Sequence, residues 1–422
     1  MKGLGTAIGS FATTLLLSRQ SLSRTRFERV RERALNHWLA HDLPKALYYG
    51  AAPQSLSDLP IIDKAIVMEA FERFNIHGVT AADAWAAADG SGQIGSLTLG
   101  ASTGTSGNRG LFVISDTERF RWLGTILAKT MADLLWRRQR VAIMLPRNTR
   151  LYESARATGR VQLRFFDLTR SNGTWLTDLV DFDPTVVVAP PKILRSLAED
   201  RVAISPLRLF SAAETLDPVD RPVIETYFQR RLDQIYMATE GLFAVTCRRG
   251  GLHLAEDSVF FEFESAGNGL VSPIVTAFRR QTQIMARYRM NDLLRLSETR
   301  CPCGSPLRTV DEIVGRMDDV FHLSSPGGNL TITPDVLRDA VLGADRRIDD
   351  FRLVQTAHDA IELRLDPDLP NGVADAAMGK VRSLLNDRGA RARIRLVPTR
   401  LTFRTDRKLR RVARCIKADR PS

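Results

Sequence analysis

The 422-residue chain contains 44% hydrophobic and 26% charged residues, a composition that excludes disordered and fibrous proteins and favours a folded chain of two or more domains. Its formal net charge is +12, and residues 391–420 carry much of the excess, with twelve Lys or Arg against two Asp. No apolar run reaches the roughly 20 residues needed to span a bilayer, and the four cysteines are too few for a disulfide framework, so we expect a cytoplasmic protein without a membrane span.

The N-terminal part of the chain is predicted to be helical. Apolar residues recur at helical spacing between residues 14 and 47, and a second helical pattern covers residues 65–74. A Pro-interrupted link separates the two patterns. We therefore treat residues 1–58 as an N-terminal helical segment.

A loop of small residues follows the first predicted strand. The apolar run at residues 97–99 ends at Gly100, residues 102–110 are almost all Ser, Thr or Gly, and a second strand is predicted at residues 112–114. Glycines let backbone N–H groups curl around an anion, and hydroxyl groups add donors, so the loop is typical of a phosphate site. A flexible surface hairpin is the alternative. The loop is not a Walker loop, because no Gly-Lys-Ser/Thr follows it.

Predicted strands and helices then alternate along the chain. The strands are placed at residues 141–145, 163–166, 185–189, 207–210 and 233–236. This alternation predicts an α/β fold with a parallel sheet, whose ligands bind at the carboxyl ends of the strands. Shorter strands from residue 252 predict a β-rich subdomain, and we assign residues 59–316 to one large domain. Residues 317–422 have the patterns of a small α+β domain.

Several further motifs follow the loop in a fixed order. They are Ser-Ala-Ala-Glu-Thr-Leu at 211–216, Tyr-Met-Ala-Thr-Glu at 236–240, Arg-Tyr-Arg-Met-Asn-Asp-Leu at 287–293, Gly-Arg-Met-Asp-Asp at 315–319 and Arg-Thr-Asp-Arg-Lys-Leu-Arg-Arg-Val at 404–412. In order and spacing they resemble the motifs of the adenylate-forming (acyl-CoA ligase) superfamily, from about residue 59 to the C-terminus. The Asp-Leu-Pro-Ile-Ile-Asp-Lys run at 58–64 and the Cys-Pro-Cys-Gly insert at 301–304 resemble its phenylacetate–CoA ligase-like branch, which includes deazaflavin-coenzyme adenylating synthetases.

The chain departs from the superfamily pattern at three places. Met237 stands where a glycine is expected, and Met290-Asn291 replaces Thr-Gly. The phosphate loop usually carries a lysine near its end, and the candidate cation here is Arg109.

The resemblance implies an ATP-dependent ligase that adenylates a carboxylic acid, releases pyrophosphate and passes the acyl group to coenzyme A, a carrier-protein thiol or an amine. The implied catalytic residues are Lys408, Glu240 and Thr239, with Lys408 as a cation at the α-phosphate and Glu240 as a Mg²⁺ ligand. The residues 317–422 would form a mobile lid with its hinge at 315–319. The implied ATP-binding residues are Ser102, Thr103, Gly104, Thr105, Ser106, Gly107, Ala212, Ala213, Glu214, Tyr236, Asp292 and Arg316.

Each of these residues also has an ordinary structural interpretation. Glu240 alone could be a solvated turn residue, and Asp292 could be a turn residue or a helix cap. Tyr236 could pack in the core rather than stack on adenine. Lys408 could be one charge among the solvated arginines of the C-terminal segment, including Arg410 and Arg411, which we expect to contribute little.

A second set of residues suggests a metal. Cys247, His253, Cys301 and Cys303 supply three thiols and an imidazole, the donor set that zinc prefers. Their spacing is not that of a standard zinc finger, and two core cysteines beside a Cys-Pro-Cys turn are the alternative. In the resembled branch an upstream Cys and His commonly accompany the same insert, which implies a closed structural zinc site.

Two alternative functions stay open at this point. One is nucleotidyl transfer to a coenzyme-like acceptor without a thioester step. The other is a zinc-stabilised nucleic-acid-binding protein, although the basic C-terminus has no interleaved aromatic residues and we do not predict nucleic acid as a partner. Arg147, Tyr152 and Phe210 are predicted to face the acid, and a homodimer is possible.

Overall fold

The computed structural model describes residues 2–102, 109–145, 160–168, 172–402 and 408–416, and it has the predicted α/β architecture. Thr103–Gly107 of the predicted phosphate loop, together with Arg147 and Tyr152, lie outside the described residues. The helices are α1 (Lys2–Ser18), α2 (Arg24–His41), α3 (Lys64–Glu69), α4 (Ala81–Asp89), α5 (Asp116–Thr130), α6 (Asn172–Phe182), α7 (Pro191–Glu199), α8 (Asp220–Phe228), α9 (Pro334–Leu342) and α10 (Val373–Asp387).

The strands form one large sheet and several small ones. They are β1 (Gln93–Ile94), β2 (Leu97–Ala101), β3 (Leu111–Ile114), β4 (Gln139–Leu145), β5 (Val161–Asp167), β6 (Val186–Ala189), β7 (Arg208–Ala212), β8 (Leu232–Ala238), β9 (Gly241–Thr246), β10 (Leu252–Leu254), β11 (Phe260–Gly267), β12 (Leu270–Thr276), β13 (Tyr288–Arg289), β14 (Asp292–Leu296), β15 (Thr309–Arg316), β16 (Phe321–Ser325), β17 (Gly328–Ile332), β18 (Arg352–Ala357), β19 (Ala360–Leu365), β20 (Arg393–Pro398) and β21 (Val412–Arg414).

The large sheet changes from parallel to antiparallel at β8. Strands β5, β4, β6, β7 and β8 are parallel neighbours, and the apolar runs of β4 and β6 are buried, as expected for strands covered on both faces. From β8 onward the order β9-β10-β15-β14-β12-β11 is antiparallel throughout. The carboxyl ends of β7 and β8 therefore lie beside the antiparallel half of the sheet. That half contains the start of β14 and the end of β15.

The N-terminal helices pack onto the large sheet and its helices. The continuous helix predicted over residues 14–47 is in fact two helices, because the Ser23 side chain caps the N-terminus of α2 and separates it from α1. Helix α1 crosses α5 so closely that a Cβ on Gly124 would lie 2.1 Å from the carbonyl oxygen of Ala7. In α2, the fully buried Trp38 donates its indole N–H to the carbonyl oxygen of Arg280 at 2.5 Å. Among the helices of the described residues, none is both long and apolar enough to cross a membrane.

A separate hydrophobic core lies beyond β15. The sheet order β20-β19-β18-β21 packs against α9 and α10, with Phe351, Leu353, Leu363 and Val381 fully buried between them. Strand β21 joins the sheet parallel to β18 and is the last strand of the described chain. The residues immediately before β21 are thereby fixed where the small sheet meets the large one. The domain limits at residues 58 and 316 stay a prediction.

Candidate active site

A cavity of about 1070 Å³ lies at the carboxyl ends of β7 and β8. Most of the described residues that the sequence predicts for the ATP site and for catalysis line it together: Ser102, Ala213, Glu214, Tyr236, Thr239, Glu240, Asp292, Arg316 and Lys408. Ala212 and Phe210 do not line this cavity. Ala212 is buried at the end of β7. Phe210 packs in the core between the sheet and α5, so the prediction that Phe210 faces the acid is wrong.

The turn after β7 brings an acidic side chain into the cavity. Ala213 has a φ of +68°, a left-handed conformation that costs a residue with a Cβ about 1–2 kcal/mol. Glu214 follows it and forms a buried ion pair with Lys192 of α7, at 2.9 Å between Nζ and Oε1. Burial raises the pKa of Glu214, although the Lys192 ammonium opposes this. The other carboxylate oxygen accepts the backbone N–H of Leu409, the residue after Lys408, at 3.4 Å.

Three strands of the large sheet, β8, β14 and β15, bring together a tyrosine, a carboxylate and an arginine. Strand register places Asp292, the first residue of β14, opposite Arg316, the last residue of β15. The Tyr236 hydroxyl on β8 donates to Asp292 Oδ2 at 2.6 Å, a contact that the sequence does not reveal. Burial raises the pKa of Asp292, while Tyr236 and the Arg316 charge act in the opposite direction. Burial and the Asp292 carboxylate raise the pKa of Tyr236, so its proton stays on the hydroxyl.

The turn between β8 and β9 holds a third carboxylate of the site, Glu240. Glu240 is buried and accepts the Thr239 hydroxyl at Oε2, 2.9 Å away. The Arg280 guanidinium donates to the carbonyl oxygen of Thr239 at 2.8 Å. Burial and the Glu240 carboxylate raise the pKa of Tyr288, which also lines the cavity. Carboxylate oxygen is the ligand type that Mg²⁺ prefers, so the residues present fit such an ion.

The base of the predicted phosphate loop is closed by two hydrogen bonds. Ser102 donates its backbone N–H to the Gly110 carbonyl at 2.7 Å, and its hydroxyl accepts the Gly110 N–H at 2.8 Å. Arg109 does not point into the cavity. Its guanidinium lies 4.7 Å from the Trp85 ring centroid and 3.8 Å from Asp89, which does not fit the role of the loop cation.

Lys408 enters the cavity from the C-terminal segment. Burial lowers its pKa to about 8, with the Arg316 charge as the next cause, while Glu214 and Asp292 act in the opposite direction. A lysine with this pKa is still mostly protonated at neutral pH.

The two arginines after Lys408 are not the solvated charges expected from the sequence. Arg410 forms an ion pair with Asp319, in the motif at 315–319. Arg411 is 4% exposed and donates to Asp217 at 2.8 Å and to Asp220 at 2.7 Å, both on the large-sheet side. It also binds Asp350 at 2.8 Å, beside the small sheet.

The four zinc-ligand candidates come together outside the cavity. Their ligand atoms lie within 4.8 Å of one another. The hairpin of β9 and β10 positions Cys247 and His253, and β15, the neighbour of β10, follows the loop with Cys301 and Cys303. Cys247 Sγ lies 3.6 Å from Cys301 Sγ, and Cys303 Sγ lies 3.2 Å from His253 Nε2.

Comparisons with known proteins support the fold assignment. No protein-family model and no curated protein sequence matches the chain. Among solved structures, the chain is similar to a 2-hydroxyisobutyryl-CoA ligase in the postadenylation state with R3-HIB-AMP, with a TM-score of 0.69 and 19% identity over 95% of this chain and 91% of that chain. It is also similar to ATP-bound MatB from Rhodopseudomonas palustris, with a TM-score of 0.52 and 12% identity over 71% of this chain and 63% of that one.

A third similar structure is the amide bond synthetase McbA from Marinactinospora thermotolerans, with a TM-score of 0.51 and 14% identity over 74% of this chain and 67% of that one. At these identities the likeness shows the fold, which is that of the acyl-CoA and other adenylate-forming ligases. The resemblance in the sequence motifs predicts the same fold.

Sequence reasoning missed several charged residues around the site. Lys192 and Asp220 are buried within ion pairs and Asp217 is half-buried in one, but their local sequence has no feature that separates them from surface residues. Lys64 also lines the cavity, and sequence reasoning did not identify it as a site residue. The signal that could have identified it was its place in the Asp-Leu-Pro-Ile-Ile-Asp-Lys run.

We expect Arg411→Ala to lower the free energy of unfolding by about 3–5 kcal/mol, because it removes a buried guanidinium that binds three carboxylates and leaves the buried Asp220 with Arg195 alone. The matched control is Arg400→Ala, whose side chain is 77% exposed and pairs with the exposed Asp368. That change should alter the free energy of unfolding by no more than about 1 kcal/mol. Chemical denaturation followed by circular dichroism measures both, and equal effects of the two variants would contradict the buried ion-pair assignment.

Proposed function

We propose that the chain is an ATP-dependent ligase that adenylates a carboxylic acid and then transfers the acyl group to a thiol or an amine. The observation that carries this proposal is that one cavity contains Lys408 from the C-terminal segment together with Glu240, Asp292 and Arg316 from the large sheet. Similar structures hold an acyl adenylate or ATP, and one holds 2-HIB-AMP with CoA. The proposed acceptors are coenzyme A, a carrier-protein thiol or an amine.

In the proposed first step, an oxygen of the acid attacks the α-phosphorus of ATP. The bond from that phosphorus to the bridging oxygen breaks, its electron pair leaves with pyrophosphate, and the acyl adenylate remains. Catalysis of this displacement consists mainly of positioning and charge neutralisation. Lys408 and Arg316 neutralise charge at the phosphate, and Asp292, fixed by the Tyr236 hydroxyl, accepts the ribose hydroxyls. Glu240 would hold Mg²⁺, which neutralises phosphate charge when bound.

We further propose that residues 317–422 act as a lid that carries Lys408 into and out of the cavity, with residues 315–319 as the hinge of a 59–316 adenylation domain. The Arg410–Asp319 and Arg411–Asp217 ion pairs support this proposal, because they hold the Lys408 segment against both parts of the chain. The TM-score is 0.69 against the postadenylation state of a 2-hydroxyisobutyryl-CoA ligase and 0.56 against its thioesterification state, so the chain is more similar to the first of these two states.

The alternative functions gain less support. Arg410 and Arg411 contribute to the basic charge of the C-terminus, but they are engaged in ion pairs, so less of that charge is free for nucleic acid. Nucleotidyl transfer to a coenzyme-like acceptor would use the same ATP site. A homodimer and a cytoplasmic location stay predictions from the sequence.

Acid-dependent exchange of labelled pyrophosphate into ATP tests the proposal. Aryl and fatty acids are screened first, and coenzyme A or amines are then added to the active acids. Exchange that requires an added acid supports the ligase. Salt-sensitive DNA or RNA binding without any exchange would contradict it.

Lys408→Ala should reduce acid-dependent exchange by a factor of roughly hundreds, comparable to loss of a key transition-state charge. Supplied with pre-made acyl adenylate, the same variant should transfer the acyl group at a rate near that of the wild type, because the α-phosphate displacement is already complete. The exposed Lys380 on α10 provides the matched control, and Lys380→Ala should leave both steps unchanged. An equal loss in both steps would remove the specific role of Lys408 in adenylation.

The pH dependence of adenylation provides an independent check. Since burial lowers the pKa of Lys408 to about 8, the cation is present below that pH and is lost as the pH rises through it. We expect kcat/KM for ATP to decline with an apparent pKa of about 8. In Lys408→Arg, whose side chain stays charged, the residual activity should lack this decline. A profile that is unchanged in Lys408→Arg would assign the titration to another group.

We also propose that Cys247, His253, Cys301 and Cys303 bind a structural zinc ion. Zn–S bonds of about 2.3 Å in a tetrahedron place two sulfurs roughly 3.8 Å apart, close to the observed 3.6 Å. His253 Nδ1 lies 2.9 Å from the Leu307 carbonyl oxygen, which suits donation there and leaves Nε2 for the metal. A side chain at Gly251 would place its Cβ 2.7 Å from Cys301 Sγ, so a glycine is required beside the cluster.

Purified protein should contain one zinc ion per chain by elemental analysis. Cys301→Ser should weaken zinc binding at least about tenfold and lower the thermal unfolding midpoint more than it changes nucleotide affinity. The control is Cys415→Ser, because Cys415 is exposed and lies outside the cluster. Wild-type protein without zinc, or equal stability losses in the two variants, would contradict the zinc site.

A further inference from the structure

The predicted ATP site needs a cation near the end of the phosphate loop, and Arg109 does not supply it. The Arg109 guanidinium covers the Trp85 ring, and its Nε donates to the Ser102 carbonyl at 3.2 Å. A triphosphate carries several negative charges, and the β- and γ-phosphates lie farthest from the ribose. A cation that faces the cavity near the loop end must therefore come from another part of the chain.

Lys64 occupies that position. It lines the cavity, and a Cβ built on Gly110 would lie 3.3 Å from Lys64 Cε, 3.8 Å from its Nζ and 3.6 Å from Thr239 Oγ1. Gly110, at the end of the phosphate loop, therefore lies next to both the Lys64 ammonium and the turn that carries Glu240.

The backbone before Lys64 is held firmly in place. The N–H of Ile62 donates to the Arg287 carbonyl at 3.1 Å, and the Arg289 N–H donates to the Ile62 carbonyl at 2.8 Å. Ile62 is fully buried, and the Asp63 carboxylate accepts the Ile66 N–H as the cap of α3. Because these contacts fix the start of α3 against β13, the Lys64 side chain starts from a defined position at the cavity wall.

The charges of the cavity are arranged along its length. Asp292 and Glu214 lie near Lys408 and Arg316, at the end assigned to the ribose and adenine. Lys64 and Arg280 lie near the Thr239–Glu240 turn, at the loop end. The Lys408 and Lys64 ammonium groups are close enough to interact unfavourably, which is one of the smaller causes of the lowered pKa of Lys408. A polyanion that spans the cavity would relieve this repulsion.

We propose that Lys64 binds the β- and γ-phosphates of ATP and stabilises the departing pyrophosphate, in the place where the superfamily pattern has a loop lysine. This inference depends on the proposed adenylation. As the bond from the α-phosphorus to the bridging oxygen breaks, negative charge moves onto pyrophosphate. The Lys64 ammonium, on the loop side of Thr239, neutralises that charge, while Lys408 acts at the α-phosphate.

The test compares ATP with AMP, because AMP lacks the two phosphates that Lys64 binds. Isothermal titration calorimetry with Mg²⁺ gives both dissociation constants for the wild type, Lys64→Ala, Lys64→Arg and the surface control Lys380→Ala. Lys64→Ala should weaken ATP binding about tenfold to a hundredfold, the range for a lost charge-assisted hydrogen bond, and change AMP binding by less than about twofold. Lys64→Arg should recover part of the ATP affinity, and Lys380→Ala should match the wild type.

Two results would overturn the inference, and they differ from failure of the proposed function. If Lys64→Ala binds ATP as tightly as the wild type, or loses ATP and AMP affinity equally, Lys64 does not bind the β- and γ-phosphates. If wild-type protein binds no ATP and catalyses no acid-dependent exchange, the proposed adenylation itself fails, and the inference fails with it. Thermal unfolding of each variant shows that the compared proteins are folded.

Discussion

The position of the C-terminal segment depends on the buried guanidinium of Arg411. This group binds Asp217 and Asp220 on the large-sheet side and Asp350 beside the small sheet, with each donor–acceptor distance at 2.8 Å or less. Strand β21 begins at the next residue, so the backbone of residues 408–411 has little freedom. Lys408 reaches the cavity because both the ion pairs and the strand fix the segment that carries it.

The Arg411 ion pairs stabilise the contact between the two parts of the chain, but this contact can also dissociate. Buried charges lose their hydration, and a charged pair offsets this loss only while its geometry and hydrogen bonds are intact. Asp220 also binds Arg195 at 3.0 Å, so the carboxylate keeps one cationic partner when Arg411 leaves. Asp350 likewise keeps Arg352 at 2.6 Å. A separation of the two parts of the chain therefore does not leave these carboxylates without any partner, which suits the lid movement proposed for residues 317–422.

The site itself is built where the sheet changes from parallel to antiparallel. Parallel strands β7 and β8 deliver Glu214 and Glu240 just beyond their carboxyl ends, and the antiparallel pair β14 and β15 brings Asp292 beside Arg316. The Tyr236 hydroxyl links the two halves through Asp292. The same strands, continued to β9 and β10, position the Cys and His cluster on another part of the sheet. One sheet therefore supports both candidate sites.

The sequence by itself determined the fold class and the order of the main elements, and most of the described residues that it predicts for the ATP site line the cavity, because helical and strand periodicity and short motifs record local backbone structure. The Cys and His set could also be predicted, since its members flank hairpins and neighbouring strands. Only the tertiary structure decided that Arg109 covers Trp85, that Lys64 faces the loop end, that Phe210 is a core residue and that Arg411 is buried. The partners of Arg411 lie 61 to 194 residues away in the chain. Their pairing depends on strand register and on how two cores meet, and neither leaves a pattern in the local sequence.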